Sequence, residues 1–582
     1  MSSVDVFDAG DGDLGLVNAN DEHSVFLMSP ERHLRRLPSL SALENRTRRP
    51  SSSFVATASA ECLDEIEKSK PRRPSLHHLS RSQTLPKSYV RSPVREKEFT
   101  PGTLDASVSD DVVARLRRWI LCVLVVNFDL DQGPVINGVF PPFPMSTSEK
   151  ENICFSSIPD SFRYDEGAEA HTFRIRESTL EGKERQALQQ FQDGFLYGFS
   201  YFQRKRDEYS SRGYDQRSMI ILTHYPWPAL YLELVNKLGP MFLAHDGPML
   251  ESACHNIASW PPPDPGTTLE LGFLGSVLTV ELPAAVDSQQ AAKNLTIIEK
   301  LVSQPVIYAS STPSIPPPLH LFAPSISHLW SIWECLLLGE PILVFGPTPA
   351  VTSQTIWWFL DVMKPVPIAG DYRPYFTVHD EDYHSLVNKN PPKAGVLLGV
   401  TNPLFDTMCK HWPHKLSVGS SATPSSKRSS KAHLIAGPAP GWQTKTHNRY
   451  ISKDRDLLKQ LEHAIKSDGL LDVDGRLSHQ LRQHFSTRAV QFLVPLNRYL
   501  NTLIPSPTES SQSISSVESL PCRPRALKPF NRDQFFALLK VHGSPLPFRS
   551  SSKQREFYER WLRTPAFGLW MARQEEAINK YL

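Results

Sequence analysis

The first regular alternation of apolar and polar positions begins near Ala114 and predicts strands followed by helices. Residues 119–126 form a short apolar run rich in β-branched side chains, which is typical of a buried strand. Turn-forming residues at 129–134 then predict a hairpin with residues 135–140. Further strands are predicted at 171–176, 195–202, 218–223 and 277–282.

Helix signals appear among and after these strands. Ser146 with Glu149 three residues later forms a capping box, which predicts a helix through Ile153. Proline is tolerated at a helix start, and the apolar residues that follow Pro228 fall on one face of a predicted helix. Antiparallel-type strands followed by helices indicate an α+β class for this part of the chain.

Residues 326–414 follow a different pattern, in which helices alternate with short buried strands. Leu329, Ile332, Trp333 and Leu336 have the i, i+3, i+4, i+7 spacing of an amphipathic helix. The alternation predicts a βα-layered domain of the α/β class. The predicted strands are 342–345 and 395–400, and the later helices are 351–362, 454–466, 476–503 and two or three within 532–582.

Composition divides the chain into four predicted parts. Residues 1–112 mix Ser, Pro and Arg with few periodic apolar positions, so we expect a disordered basic tail. A Pro- and Ser-containing connection at 283–324 separates the α+β part from the α/β part. The predicted domains are 113–300, 301–452 with an insertion at 419–445, and a helical region 453–582 with a loop at 506–525.

Charge and cysteine usage narrow the class of protein. The 63 basic and 61 acidic residues give a net charge of +2, which argues against a nucleic-acid-binding protein. The N-terminus lacks a signal-peptide pattern, and no window approaches the roughly 18 apolar residues of a membrane span. The seven cysteines are scattered singly and predict buried, reduced thiols in a cytoplasmic protein with no metal and no cofactor.

Sequence motifs for catalysis are missing. Gly182-Lys183 lacks the glycine spacing and the following Ser or Thr of a phosphate-binding loop. The chain has neither a Gly-x-Ser-x-Gly nor a His-Glu-x-x-His motif. An acidic run at 380–382 could bind a cation, but a solvated helix start is the favoured interpretation. These absences predict a protein that acts by binding rather than by bond chemistry.

Arg373 stands in an aromatic block close to Asp371. The guanidinium could form a buried ion pair that organises the block, or it could anchor an interface. The buried pair is the favoured interpretation, because buried charges need partners.

Three basic motifs in the tail indicate regulation. Ser51 and Ser75 each follow an Arg-Arg-Pro sequence, and Thr84 lies in Arg-Ser-Gln-Thr-Leu-Pro. The last fits the phosphopeptide pattern that 14-3-3 proteins bind through an arginine cluster. We therefore predict phosphorylation at Ser51, Ser75 and Thr84 and a 14-3-3 protein as a partner, with an unmodified basic linker as the alternative.

Motifs in the same order along the chain resemble those of DENN-domain proteins, and in particular the DENN domain-containing protein 6 family. The resemblance covers residues 115–582. Its central motifs are LWSIWE at 329–334, GEPI at 339–342, DYRPYFTVHD at 371–380, LGVTNPLF at 398–405 and HWPH at 411–414. Upstream and downstream motifs are EKENIC at 149–154, FSSIPDS at 155–161 and FYERWL at 557–562.

The resemblance implies a bilobed, tripartite module with a longin-like N-terminal lobe. It also implies a guanine-nucleotide exchange factor for a Rab small GTPase, recruited peripherally to endosomal or Golgi-derived membranes in vesicle trafficking. Such a factor makes or breaks no covalent bond. A Rab effector or trafficking scaffold without exchange activity is the alternative. A GTPase-activating protein with Arg373 as its arginine finger is a third hypothesis.

Motif matching does not assign the residues that contact the Rab. Five residues are candidates because they lie in the motifs that resemble the family and carry polar groups. They are Asp371, Arg373, Tyr375, Thr401 and Asn402.

Overall fold

The structure is a computed structural model, and it describes twelve segments of the chain. These are residues 102–104, 106–159, 166–178, 189, 191–208, 213–245, 247–290, 306–312, 317–419, 438–467, 475–505 and 527–581. The predicted phosphorylation sites Ser51, Ser75 and Thr84 and the loop at 506–525 lie outside the described residues.

A six-stranded sheet forms the first layer, in the order β1-β3-β2-β6-β5-β4. Its pairs are antiparallel except for β1 and β3. The strands are β1 Gly102–Thr103, β2 Cys122–Asp129, β3 Gly133–Phe140, β4 Gly167–Arg176, β5 Phe195–Arg206 and β6 Tyr214–Thr223. The helices are α1 Asp110–Leu116, α2 Thr147–Ser157, α3 Pro228–His245 and α4 Gly247–Ser259.

Both faces of this sheet are buried, because successive side chains of a strand point to opposite faces. Val123 and Val125 of β2 pack in the core beneath α3 and α4. Leu124 and Val126 pack in a second core with Ile153 of α2. A small sheet, β7 Thr268–Phe273, β8 Ser276–Glu281 and β9 Ile307–Tyr308, extends the first core.

A second sheet of five strands has the order β11-β12-β10-β13-β14 and is parallel except for β14. All four residues of its central strand are buried. The strands are β10 Ile342–Phe345, β11 Tyr372–Arg373, β12 Leu397–Val400, β13 His414–Ser417 and β14 Gly441–Thr444. The helices are α5 Pro318–Phe322, α6 Leu329–Leu337, α7 Pro349–Met363, α8 Tyr383–Leu386 and α9 Leu404–Met408, with a 3₁₀ helix at Ala323–His328.

The C-terminal part is helical and shares one core with the second sheet. Trp333 of α6 and Trp358 of α7 belong to the same buried cluster as Phe485, Phe492 and Trp561 of the later helices. These helices are α10 Arg455–Lys466, α11 Arg476–Leu503, α12 Arg532–His542, α13 Ser551–Trp561 and α14 Pro565–Tyr581.

The predicted fold class and most of the predicted elements are confirmed. The strand at 342–345 and the helix at 476–503 have the predicted bounds, and the Ser146–Glu149 capping box is present. Strand β7 and helix α4 had no counterpart among the predicted elements. Secondary structure also precedes residue 113, in β1 and α1, and strand β14 lies within the predicted insertion.

None of the helices in the described segments is both long enough and apolar enough to span a bilayer.

Candidate functional site

The first sheet and the second sheet meet along β4, which is an edge strand of the first. Helix α7 lies against this edge: Trp357 Nε1 donates to Thr172 Oγ1 at 2.7 Å, and Ser353 Oγ lies 3.4 Å from the Thr172 amide, which donates to it. An uncovered strand edge presents unpaired backbone groups that invite pairing with another chain. Helix α7 and strand β11 cover this edge, and we call the contact the joint.

Arg373 of β11 lies at the centre of the joint and is fully buried. Its Nε and one terminal nitrogen donate to the two oxygens of Asp371 at 2.8 and 3.0 Å. The same guanidinium contacts Asp380 at 3.4 Å, forms a short contact with Asp382, and donates to the backbone carbonyl of Arg174 at 3.3 Å. A planar guanidinium matches a carboxylate in this two-pronged way, which fixes orientation as well as distance.

Arg174 of β4 ties the first sheet to the same acidic groups. It donates to Asp193 at 2.8 Å, to Asp371 at 3.2 Å and to the carbonyl of Tyr372 at 3.2 Å. Its guanidinium lies over the Phe195 ring at 3.4 Å from the centroid. Asp371 therefore pairs with arginines from both sheets.

Burial and these contacts shift the pKa of the joint's carboxyl groups in opposite directions. Burial raises the pKa of Asp380 to about 6, although Arg373 opposes the rise. Burial also acts on Asp382, but Arg373 and Arg176 outweigh it and hold the pKa of that carboxyl below its usual value. Each arginine and aspartate of the joint has an oppositely charged partner. This pairing fixes the relative positions of the two sheets at the joint.

The segment after Arg373 reaches further into the first sheet's second core. Tyr375 is buried there and meets His171 edge-to-face at 5.7 Å between ring centroids. His379 stacks on Phe155 of α2 at 3.6 Å, and the amide of Glu381 donates to Asn152 at 3.0 Å. The block 371–382 thus fastens the two sheets by aromatic packing as well as by ion pairs.

A cavity of about 640 Å³ opens beside the joint. Its wall includes Arg174 and Tyr372 from the joint, Trp227 ahead of α3, Trp357 of α7 and Arg573 of α14. This volume lies within the range of small-ligand pockets. The cavity brings the first sheet, the second sheet and the C-terminal helix around one space.

Two candidate residues lie on the surface at the carboxyl end of β12. Thr401 and Asn402 are partly exposed, and helix α9 begins directly after them. Leu404 and Met408 of α9 are 47% and 45% exposed, unusually high values for large apolar side chains in this structure. They are one helical turn apart and so lie on the same face. We call these four residues the α9 surface.

Curated proteins similar to this chain share one name. Protein DENND6B from Homo sapiens is 30% identical over 491 residues, which cover 80% of each chain. The chain belongs to the DENND6 family of DENN-domain proteins. Protein DENND6A from Gallus gallus is 28% identical and covers 80% of this chain and 81% of its own. A DENND6 homolog from Dictyostelium discoideum is 27% identical over 549 residues, or 80% of this chain and 72% of its own. No family profile matches the chain.

Membership of the DENND6 family confirms the resemblance that the sequence motifs predicted. The joint also confirms that Arg373 forms a buried ion pair. The arginine-finger hypothesis for Arg373 is wrong for this conformation, because the side chain is fully buried and bound to three carboxylates. Residues 380–382 do precede a helix, with Asp382 at the N-cap of α8, but the predicted solvation is wrong for Asp380 and Asp382, which pair with Arg373.

The five candidate contact residues fall into two groups. Arg373 and Tyr375 are buried at the joint, and Asp371 has only 18% of its side chain exposed. Thr401 and Asn402 belong to the α9 surface instead. Contact with a partner stays a prediction for all five.

Sequence reasoning missed Arg174 and Asp193 altogether. Arg174 is a charged residue on a predicted strand, flanked by Phe173 and Ile175, which are both fully buried. An arginine within a strand buried on both faces needs a partner, and this pattern could have singled it out. The identity of that partner could not have been predicted, because Asp371 lies 197 positions away.

Proposed function

We propose that this chain is a guanine-nucleotide exchange factor for a Rab small GTPase. The observation that carries the proposal is the match to the DENND6 family over four-fifths of the chain. The block 371–380 is one of the motifs in which this chain resembles DENN-domain proteins, and here it fastens the two sheets. The proposal therefore gives the block a scaffold role: it holds two binding faces in one fixed relation.

Exchange by this route needs a shaped surface and no bond chemistry. The switch segments of a GTPase are ordered by the γ-phosphate and Mg²⁺. A partner that binds those segments in another shape favours the nucleotide-free state. By linkage, it weakens nucleotide binding by the same factor by which nucleotide weakens its own binding. A rigid joint supports such a role, since a surface that yields would not impose its shape on the GTPase.

The α9 surface is the proposed contact on the second sheet. Its two exposed apolar side chains, Leu404 and Met408, follow closely after Thr401 and Asn402, which are polar and partly exposed. An apolar centre with polar neighbours is the usual composition of a protein-binding surface. Asp371, Arg373 and Tyr375 are proposed to act indirectly. They hold the two sheets in a fixed relative position and do not contact the Rab themselves.

Location and regulation are finer parts of the same proposal. We propose a cytoplasmic protein with peripheral recruitment to endosomal or Golgi-derived membranes, where Rab proteins act. The tail motif around Thr84 supports phosphorylation and 14-3-3 binding as a control of that recruitment. A phosphopeptide spanning residues 78–90 should bind a 14-3-3 protein, and binding should disappear with Thr84→Ala.

The test of exchange is a release assay with the full chain. A panel of cytosolic Rab proteins is loaded with fluorescent GDP, and release is followed after addition of the chain and excess unlabelled nucleotide. The proposal expects accelerated release from at least one Rab. A full panel that shows neither acceleration nor a nucleotide-free complex would overturn it.

Variants on the α9 surface test where the Rab binds. Leu404→Glu and Met408→Glu should each lower the exchange rate at least about tenfold, because a charge in the centre of an interface removes a hot spot. Val541→Glu on α12 is the matched control, since Val541 is 76% exposed and lies on another element. Equal loss in all three variants would contradict the assignment.

The alternative function is a Rab effector or scaffold. It predicts that the chain binds GTP-loaded Rab in preference to GDP-loaded Rab and leaves the release rate unchanged. The exposed apolar α9 surface suits that function equally, so binding alone does not separate the two.

A further inference from the structure

A cluster of metal-ligating side chains lies at the C-terminal end of α6, apart from the joint. Cys335 is on the last turns of α6, Glu340 follows the helix, and His447 lies after β14. The Cys335 sulfur, a Glu340 oxygen and a His447 ring nitrogen all lie within 4.8 Å of one another. We propose that these three residues bind a Zn²⁺ ion that stabilises the fold, with a water molecule as its fourth ligand.

The spacing fits a zinc ion after small side-chain adjustments. Zinc binds sulfur at about 2.3 Å and nitrogen or oxygen at about 2.0–2.2 Å, so its tetrahedral ligand atoms stand roughly 3.3–3.8 Å apart. The three atoms are thus at most about 1.0–1.5 Å beyond binding separation. A thiolate, an imidazole and a carboxylate together suit zinc better than Mg²⁺ or Ca²⁺, which prefer oxygen ligands alone.

His447 supplies an independent observation. Its side chain is only 2% exposed, yet neither ring nitrogen makes a hydrogen bond of acceptable geometry. Buried polar atoms are nearly always paired, and this ring has only an ion-pair contact, so one of its nitrogens remains for a metal ion. Nε2 lies 2.8 Å from Oε2 of the fully buried Glu334. A ligating histidine commonly points its second nitrogen at a carboxylate, which sets the ring orientation.

The surrounding contacts hold the other ligands in place. Glu334 accepts from the amides of Tyr450 and Ile451, the latter at 2.6 Å. Glu340 accepts from Arg560 at 2.6 Å and is in short contact with His414. Such outer contacts are a regular part of metal sites and pre-position the carboxylates.

Cys335 would bind zinc as a thiolate, because a coordinating thiol is deprotonated by the bound dication. On binding, the thiol proton leaves to solvent and the sulfur donates a lone pair to zinc, with no change of oxidation state.

Such an ion would tie α6 to the chain segment that leads into the C-terminal helices. No sequence motif indicates this site, because all five strands of the second sheet lie between Cys335 and His447 in the chain. The inference is independent of exchange activity.

Metal analysis of the full-length chain, purified without chelator and with any affinity tag removed, tests the proposal. We expect about one zinc ion per chain in the wild type. Cys335→Ser and His447→Gln should each lower the zinc content at least about tenfold. Cys254→Ser is the matched control, since Cys254 is another buried free cysteine in a different core.

A second measurement covers variants that fail to fold. Zinc is removed from the wild-type chain with 1,10-phenanthroline and replaced by Co²⁺, which gives a charge-transfer absorption band only with a thiolate ligand. Chelation should lower the melting temperature, and added Zn²⁺ but not Mg²⁺ should restore it. Three results would overturn the proposal: no zinc in the wild type with no cobalt–thiolate band, zinc retained by both variants, or a melting temperature indifferent to chelation.

Discussion

At the residue scale, Arg373 organises the contact between the two sheets. Its guanidinium has three carboxylate partners and no exposed surface. A buried ion pair contributes little net stability compared with apolar packing, but removal of one partner leaves a charge without compensation in the interior. Arg373 therefore acts through the geometry it imposes on Asp371, Asp380 and Asp382.

Replacement of Arg373 tests this role. Arg373→Ala should lower the free energy of unfolding by about 3–5 kcal/mol, because three carboxylates lose their common partner. Arg176 contacts Asp371 and Asp382 too but has half of its side chain exposed, so Arg176→Ala should cost less than about 1 kcal/mol. Denaturant unfolding of both variants measures the difference, and equal losses would contradict the account.

The pKa of Asp380 predicts a pH dependence. Burial raises this pKa from 3.8 to about 6, so the folded chain holds the proton more tightly than the unfolded chain. Stability from this group is complete below the unfolded value and is lost as the pH rises through about 6. A shift of about two units corresponds to about 3 kcal/mol.

Asp380→Asn isolates that contribution, because asparagine resembles the protonated carboxyl. The unfolding free energy of the wild type minus that of the variant should fall between about pH 4 and pH 6 and stay level above pH 7. Thermal or denaturant unfolding across this range measures it. A difference that rises with pH would show that Arg373, not burial, dominates the Asp380 carboxyl.

Most of the side-chain contacts in these sites could not be predicted from the sequence. The Asp371–Arg373 pair could be predicted, since the two residues are neighbours in one aromatic block. Asp380 and Asp382 were visible as an acidic run, but nothing local showed that the chain turns back to bring them to Arg373. Arg174 and the ligands around Cys335 depend on contacts between distant segments, for which a single sequence holds no direct signal.

At the element scale, helix α7 covers the edge of β4. The periodicity of α7 and of the strands predicted both elements well, because burial imposes period 2 on strands and period 3.6 on helices. Their contact was not predictable, since it depends on tertiary packing between two parts of the chain. The hydrogen bond from Trp357 to Thr172 lies at the middle of this contact.

A double-mutant cycle measures that bond. Trp357→Phe and Thr172→Val should each lower the unfolding free energy by about 1–3 kcal/mol, because each leaves a buried polar group unpaired or reduces packing. The double variant should lose less than the sum of the two, with a coupling of about 1 kcal/mol. Additive losses would show that the two side chains do not depend on each other.

At the scale of the whole molecule, two sheets and a helical region surround one cavity, and the two sheets meet at the joint. Family membership and this architecture support a protein that works by presenting a rigid surface. The order of motifs along the chain was enough to predict the family. The scaffold role of block 371–382 became visible only when its partners in the first sheet were placed.

The most direct test of the exchange proposal is the affinity of the full chain for one Rab in three states. Surface-immobilised Rab is prepared nucleotide-free, GDP-loaded and GTP-loaded, and the Kd of the chain is measured for each. Linkage requires an exchange factor to bind the nucleotide-free state more tightly than either loaded state, and a coupling of typical size makes the difference about tenfold or more. Tightest binding to GTP-loaded Rab, or equal binding to all three states, would contradict the account.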